Sequence, residues 1–345
     1  MARRTTTPDA PDWVGLSDQE LLDRPLSSLD LTLEGSPVEP HVRRLHAELE
    51  RRGLRFRPYV WLSTDWFTPD GATGFAVPYY LAHPRLVALE RRQMLQVEGG
   101  TQDECLKILR HETAHALDNA YRLRRKKRWR ETFGSAGEPY RSSYQPDPMS
   151  REHVLNLDYW YSQSHPLEDW AETFAVWLQP GSRWRKRYAG WPALRKLEVV
   201  DELVRSVGAA PPAVRARFRE DPVHRVDATL RELYARKKAV YADEGNPAFD
   251  GQLARVFPRA NEAPGRPRAT AFLRKTRREL IRRVSDATGQ HRYLLDHVVR
   301  EMISRSKQQD LRLATAPSDA LVDAAVVLTS LTSQFLYGAH PRYQR

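Results

Sequence analysis

A chain of 345 residues, 41% hydrophobic and with nine Trp and fourteen Tyr, is long enough for two or three lobes and rich enough in apolar area for a sizeable core. Its 55 Lys and Arg exceed its 44 Asp and Glu, a net charge of +11 that predicts attraction to something acidic but leaves the fold open. The lone cysteine, Cys105, excludes an internal disulfide and a Cys-rich zinc site, and no run reaches the ~18 apolar residues that a membrane helix needs.

Residues 1–16 read as a flexible lead, basic at first but with no apolar run behind, so the expectation is a cytoplasmic protein without a secretory signal. Ser17-Asp18-Gln19-Glu20 is a capping box that starts a short helix. Residues 40–52 carry Val42, Leu45 and Leu49 on one face, with Gly53 as the stop, and predict a second helix. Tyr59 to Leu62 and Gly74 to Leu81 are aromatic and β-branched runs that predict strands of a small sheet. Pro78 cannot donate to a ladder, which puts its strand at an edge, where a substrate backbone can align.

Gly99-Gly100 breaks the chain, and Thr101 with Glu104 begins a helix that should run well past residue 115. That helix carries His111-Glu112-Thr113-Ala114-His115. Two histidines four apart lie on one helix face, one turn from each other, so both imidazoles can reach one metal ion. The glutamate between them sits beside that ion, where a carboxylate can take a proton from water. The basic stretch Arg122 to Arg130 then suits a helix C-terminus through its dipole, or else a phosphate-binding patch. Gly134 to Pro148 is loop-like, and its Tyr140 and Tyr144 are candidates for substrate approach or for packing.

Two histidines leave a zinc site incomplete. An extension of the same motif would place Gly and His three and six residues after His115, and those positions hold Asp118 and Tyr121, so the third donor lies elsewhere. Downstream, Leu167, Trp170, Ala171, Phe174, Ala175 and Leu178 recur at i, i+3, i+4, i+7, i+8 and i+11, the pattern of an amphipathic helix with Pro166 in its first turn. Glu168 and Glu172 share one edge of its apolar stripe. Glu168 can coordinate the metal while Glu172 accepts the free N–H of a liganding imidazole. An acidic residue in a first turn also has a dipole explanation, so His165 and Asp169 stay open as other donors. Glu172 has no such explanation, because a carboxylate beside an apolar face is costly without a partner.

Taken together, Tyr79 to Leu86, the His111 to His115 motif and Ser164 to Thr173 resemble a bacterial family described as zinc-binding metallopeptidases. The Glu-x-x-x-Glu some fifty residues after the motif resembles that of the gluzincin zinc peptidases, the group of thermolysin and the lethal-factor-like toxins. The resemblance covers roughly residues 55–205. It implies an α+β zincin-like lobe with a small mixed sheet and two active-site helices. It also implies Zn2+ on His111, His115 and Glu168, with Glu172 behind a liganding histidine, and hydrolysis of a protein or peptide substrate with Glu112 as general base. In the lethal-factor-like branch a tyrosine seven residues before the liganding glutamate stabilises the oxyanion. The matching position is Tyr161, with Tyr159 as a rival and packing as the alternative for both.

The expected layout is an N-terminal lead and helices over 1–54, the peptidase lobe over 55–210 and an all-helical basic region over 211–345, with a seam at Pro211-Pro212 and a linker from Pro258 to Pro267. Arg274 to Arg278 with Arg282 and Arg283 make a second basic concentration, suited to an acidic partner. The alternative function is a basic helical scaffold derived from a peptidase fold, holding nucleic acid or a protein, with zinc structural or hydrolysis lost.

Overall fold

The computed structural model describes residues 11–140, 144, 147, 149–208, 210–239 and 248–337, without the side chains of 158–159, 248–249 and 334–337. Ten residues of the expected lead lie outside this range. The remainder is not free: Asp12–Gly15 form one 3-10 turn, and Trp13 is buried with its indole N–H donating to the Leu29 carbonyl at 3.1 Å. Burial of one large aromatic ring offsets the entropy of ordering such a short segment.

Helix α1 (Asp18–Leu22) begins with both halves of its capping box formed, Ser17 Oγ accepting the Glu20 N–H and the Glu20 carboxylate accepting the Ser17 N–H. Helix α2 (Glu39–Arg51) buries Val42, Leu45 and Leu49. Strands β1 (Tyr59–Ser63) and β2 (Gly74–Pro78) pair in parallel, with Tyr59 opposite Gly74 and Ser63 opposite Pro78. Glycine is required at 74, because a Cβ there would run into the carbonyl oxygen and ring of Tyr59.

This sheet is smaller than the mixed sheet expected. Its only antiparallel element among the described residues is an isolated bridge between Phe67 and Ala76, the Ala76 N–H donating to the Phe67 carbonyl at 2.8 Å. Beyond the pair with β1, the chain itself thus occupies β2 at the edge where a substrate backbone was expected. The second predicted run also ends as a strand at Pro78, and Tyr79–Ala82 form a buried 3-10 turn.

Helix α3 (Pro84–Met94) leads to α4 (Gln102–Tyr121), whose first turn is capped by Thr101 Oγ1 accepting the Glu104 N–H. Helix α4 stops at Arg122, which adopts a left-handed φ of 53°. The basic stretch expected at a helix end therefore runs through a 3-10 turn at Leu123–Arg125 into a new helix, α5 (Lys127–Phe133), which buries Trp129 and Phe133 against Trp170. Helix α6 (Pro166–Leu178) is buried along most of its length and packs along α4; the Trp170 indole N–H donates to the Ala114 carbonyl at 3.0 Å. Ala114 and Ala171, both fully buried, have side chains small enough for the two helices to approach closely. Helices α7 (Trp184–Arg187), α8 (Ala193–Val207) and α9 (Leu230–Ala239) complete an apolar core that gathers side chains from Trp13 to Tyr234.

A second core runs from Leu253 to Leu331 and is built mainly from four helices, α10 (Ala248–Val256), α11 (Ala269–Thr288), α12 (Arg292–Gln308) and α13 (Pro317–Tyr337), with Phe257, Leu311 and Leu313 added from the segments between them. The segment from Pro258 to Pro267 is tied down at both ends, its carbonyls accepting from Arg312 and Leu313 N–H. The most apolar stretch of the chain lies on α13 and buries Ala320, Ala324, Leu328 and Leu331 in this core. No helix among the described residues is long and apolar enough to cross a membrane. The fold is mostly helical with one parallel strand pair, consistent with the α+β class.

A buried ion pair locks α2 to α4: the Arg110 guanidinium donates to both oxygens of Glu48, at 2.8 and 3.0 Å. Replacing Arg110 with Met would leave the buried Glu48 carboxylate with only the half-exposed Arg44 as partner. Arg110→Met should cost about 3 kcal/mol, read as a lowered urea midpoint at unchanged slope.

Candidate metal centre

Helices α4 and α6 bring His111, His115 and Glu168 together, as their helical phases require. One nitrogen of each histidine and one carboxylate oxygen of Glu168 converge. His111 Nε2 lies 3.2 Å from His115 Nε2, and Glu168 Oε2 lies 3.0 Å and 3.4 Å from the two nitrogens. A tetrahedral metal ion with bonds of about 2.0–2.1 Å needs donors about 3.3 Å apart. The three separations match that spacing.

The protonation pattern reinforces the fit. His111 Nδ1–H donates to Glu172 Oε1 at 2.8 Å, so in the neutral ring Nε2 carries a lone pair, which faces a second imidazole nitrogen and a carboxylate oxygen. Glu168 Oε2 is buried, and among the described residues only the two imidazole nitrogens face it. Three donor atoms that converge in a buried site could hold a cation between them. The same convergence shows in the acid–base balance. Burial alone would lower the basicity of His111, but its hydrogen bonds and charge interactions with Glu168 and Glu172 outweigh burial and push it up to about 10. Burial acts to raise Glu168, yet the charges and hydrogen bonds of His115 and His111 hold it well below the usual carboxylate range.

Glu172 is fully partnered. Its Oε1 also accepts from Asn156 Nδ2 at 2.8 Å, and its Oε2 accepts the Leu157 N–H at 2.7 Å. A carboxylate anchored by three donors holds the His111 ring at a fixed orientation. Glu112, between the histidines and buried, accepts a 2.7 Å hydrogen bond on Oε2 from the Thr68 hydroxyl. Thr68 comes from the strap between β1 and β2, which Asn119 on α4 pins by donating to the carbonyls of Pro69 and Ala72.

The other candidates have different duties. His165 caps α6: its Nδ1 accepts the Leu167 N–H, and its Nε2–H donates to the Glu138 carbonyl at 2.8 Å. With both nitrogens in use it is not among the converging donors. Asp169 points to the other side of α6 and pairs with Lys196 at 2.6 Å. Tyr161 lies beside the metal group, its ring centroid 5.7 Å from that of His111, directly after Trp160 with its left-handed φ of 51°. The side chain of Tyr159 is outside the described residues. Tyr144 lines a polar cavity of about 190 Å³ with His153, His165 and Asp169. Tyr140 reaches the centre itself, its hydroxyl donating to Glu168 Oε1 at 2.7 Å.

Thr68, Asn156 and Leu157 escaped the sequence reading. They act from irregular segments, where no periodicity marks which way a residue points. The basic stretches are neutralised within the chain only in part. Arg124 pairs with Asp118 and Asp70, and Arg128 with Glu202. On α11, Arg277 pairs with Asp296 and Arg283 with Glu279, while Arg274, Lys275 and Arg278 stay exposed.

Residues 91–181, about a quarter of the chain, match a family described as "Putative zinc-binding metallo-peptidase". The match spans α4 and α6 and so contains all three converging donors. No curated protein and no solved structure matches the chain.

Glu172→Gln keeps the shape of the side chain but turns an amide toward one of its three donors and removes the charge behind His111. Its affinity for zinc, measured by competition with a chromophoric chelator, should fall about 10–100-fold.

Proposed function

We propose that the protein is a zinc-dependent peptidase of the gluzincin type, with the ion held by His111, His115 and Glu168. The observation that carries this reading is the set of three donor atoms at tetrahedral spacing with Glu112 on the same helix between two of them. The donor set fits zinc, which takes imidazole nitrogen and carboxylate oxygen and in catalytic sites keeps one position open beside three protein ligands. Bound there, zinc supplies a Lewis acid that makes water more acidic and polarises a peptide carbonyl.

The chain's own residues do the rest. Glu112 is the base that accepts the proton of the attacking water and returns it to the leaving amine. The Thr68 hydroxyl donates to its Oε2, which fixes the rotamer of the carboxylate. Glu172, through His111 Nδ1, keeps the imidazole in the tautomer whose Nε2 lone pair faces the ion. Tyr161, packed beside His111 and half-buried, donates its hydroxyl to the oxyanion that develops on the substrate carbonyl. The substrate class is protein or peptide. A scaffold with a structural zinc is the less economical reading: structural sites are closed by four protein donors and have no use for a base, whereas the group found among the described residues has three.

Glu112→Gln should keep near-stoichiometric zinc by elemental analysis and lose peptide hydrolysis by a factor on the order of 10²–10⁴. The substrate for the assay comes from comparing new N-termini in cells that express the wild type or the variant. Wild-type turnover by Glu112→Gln would rule out Glu112 as the base.

A further inference from the structure

The loop after α5 supplies a contact that no motif marks. Glu168 divides its two oxygens: Oε2 faces His111 and His115, and Oε1 accepts the 2.7 Å hydrogen bond from the Tyr140 hydroxyl. The Tyr140 ring lies flat on the His165 imidazole, with centroids 3.9 Å apart and planes 14° apart. His165 is immobilised through both nitrogens, by the α6 cap and by the Glu138 carbonyl. The tyrosine hydroxyl is thus placed from the same helix N-terminus that places Glu168 two residues on. Tyr140 is itself 51% exposed while Glu168 is fully buried. A half-exposed ring gains little from packing, and ordering it costs side-chain entropy, so the hydrogen bond and the stack account for its position.

We propose that Tyr140 is a positioning residue that keeps Glu168 a one-oxygen ligand. This rests on the metal-centre reading above. A carboxylate is able to bind a metal through one oxygen or two, and only the first choice preserves a four-coordinate site with a place open for a reactant. With Oε1 held by a hydroxyl donor, the carboxylate plane cannot swing both oxygens onto the ion. Removing that donor leaves a buried oxygen short of a partner, and the ion is the nearest replacement.

The test compares wild type, Tyr140→Phe and His165→Asn. Tyr140→Phe keeps the stack on His165 and removes only the hydroxyl. His165→Asn retains a good helix cap while removing the platform under the tyrosine. Chelator competition should show zinc bound about 10–100-fold more weakly in Tyr140→Phe, with a smaller loss in His165→Asn. In the cobalt-loaded form, the intense visible bands of four-coordination should give way in Tyr140→Phe to the weaker bands of five-coordination. Wild-type zinc affinity together with a wild-type cobalt spectrum in Tyr140→Phe overturns the proposal while leaving the metal centre intact. A wild-type protein that takes up neither zinc nor cobalt overturns the metal-centre reading itself, and the proposal with it.

Discussion

Everything about the first lobe is compatible with one electrostatic requirement: three electron-rich atoms, from His111, His115 and Glu168, meet inside a helix pair that excludes water. Such a convergence is destabilising on its own account, since lone pairs repel and a buried carboxylate loses its hydration. It persists in a fold only where a cation completes it and where the surrounding packing is stiff enough to hold the donors in place. Helices α4 and α6 meet the second condition. Each is capped at its N-terminus by a side chain, Thr101 or His165, and the small residues Ala114 and Ala171 allow close contact that the Trp170 indole then staples.

Helix α6 shows how a buried helix can carry three carboxylates within five residues. Glu168, Asp169 and Glu172 are each buried, and each faces a different partner: the metal group with Tyr140, Lys196 of α8, and His111 with the 156–157 backbone and side chain. The helical turn of about 100° per residue sorts Asp169 away from the other two, while the four-residue spacing keeps Glu168 and Glu172 on one edge. Asp169 feels the cost of this arrangement: burial pushes it up to about 6 even though Lys196 pulls it down. Asp169 with Lys196 is thus set apart from the linked group in which His111 faces both Glu168 and Glu172, and removal of a partner exposes its carboxylate to the penalty of burial.

What could be read from the residues divides along the same lines. His111, Glu112, His115, Glu168 and Glu172 were legible because helical spacing converts sequence separation into shared faces, and because a carboxylate on an apolar edge needs a partner. The helix spans around them were legible from caps and periodicity. The support was not. Thr68, Asn156 and the Leu157 N–H lie on irregular backbone, where direction depends on tertiary contacts alone. Tyr140 could be suspected near the cleft, but its grip on Glu168 depends on the His165 ring, whose stacking role no pattern encodes. Trp13 turned an apparent lead into packed structure by a single burial. The sheet was overestimated for a related reason: aromatic runs report burial as readily as strand, and Tyr79 to Ala82 are buried in a 3-10 turn.

Exposure around the centre gives the approach direction. The His111 and Glu168 side chains are 1% and 0% exposed, while that of His115 reaches 9%. All three are buried, and His115 is the least buried of them. Tyr161, half-buried, and Tyr140, half-exposed, stand close to the same group of donors. A site whose purpose was to staple the fold would gain from closure on every side, since water competes for the ion and screens its charge. Under the proposed function, the side of His115, where burial is least complete, is the one from which a reactant would reach the group. The two tyrosines differ in what they touch, Tyr140 through its hydroxyl on Glu168 and Tyr161 through its ring beside His111.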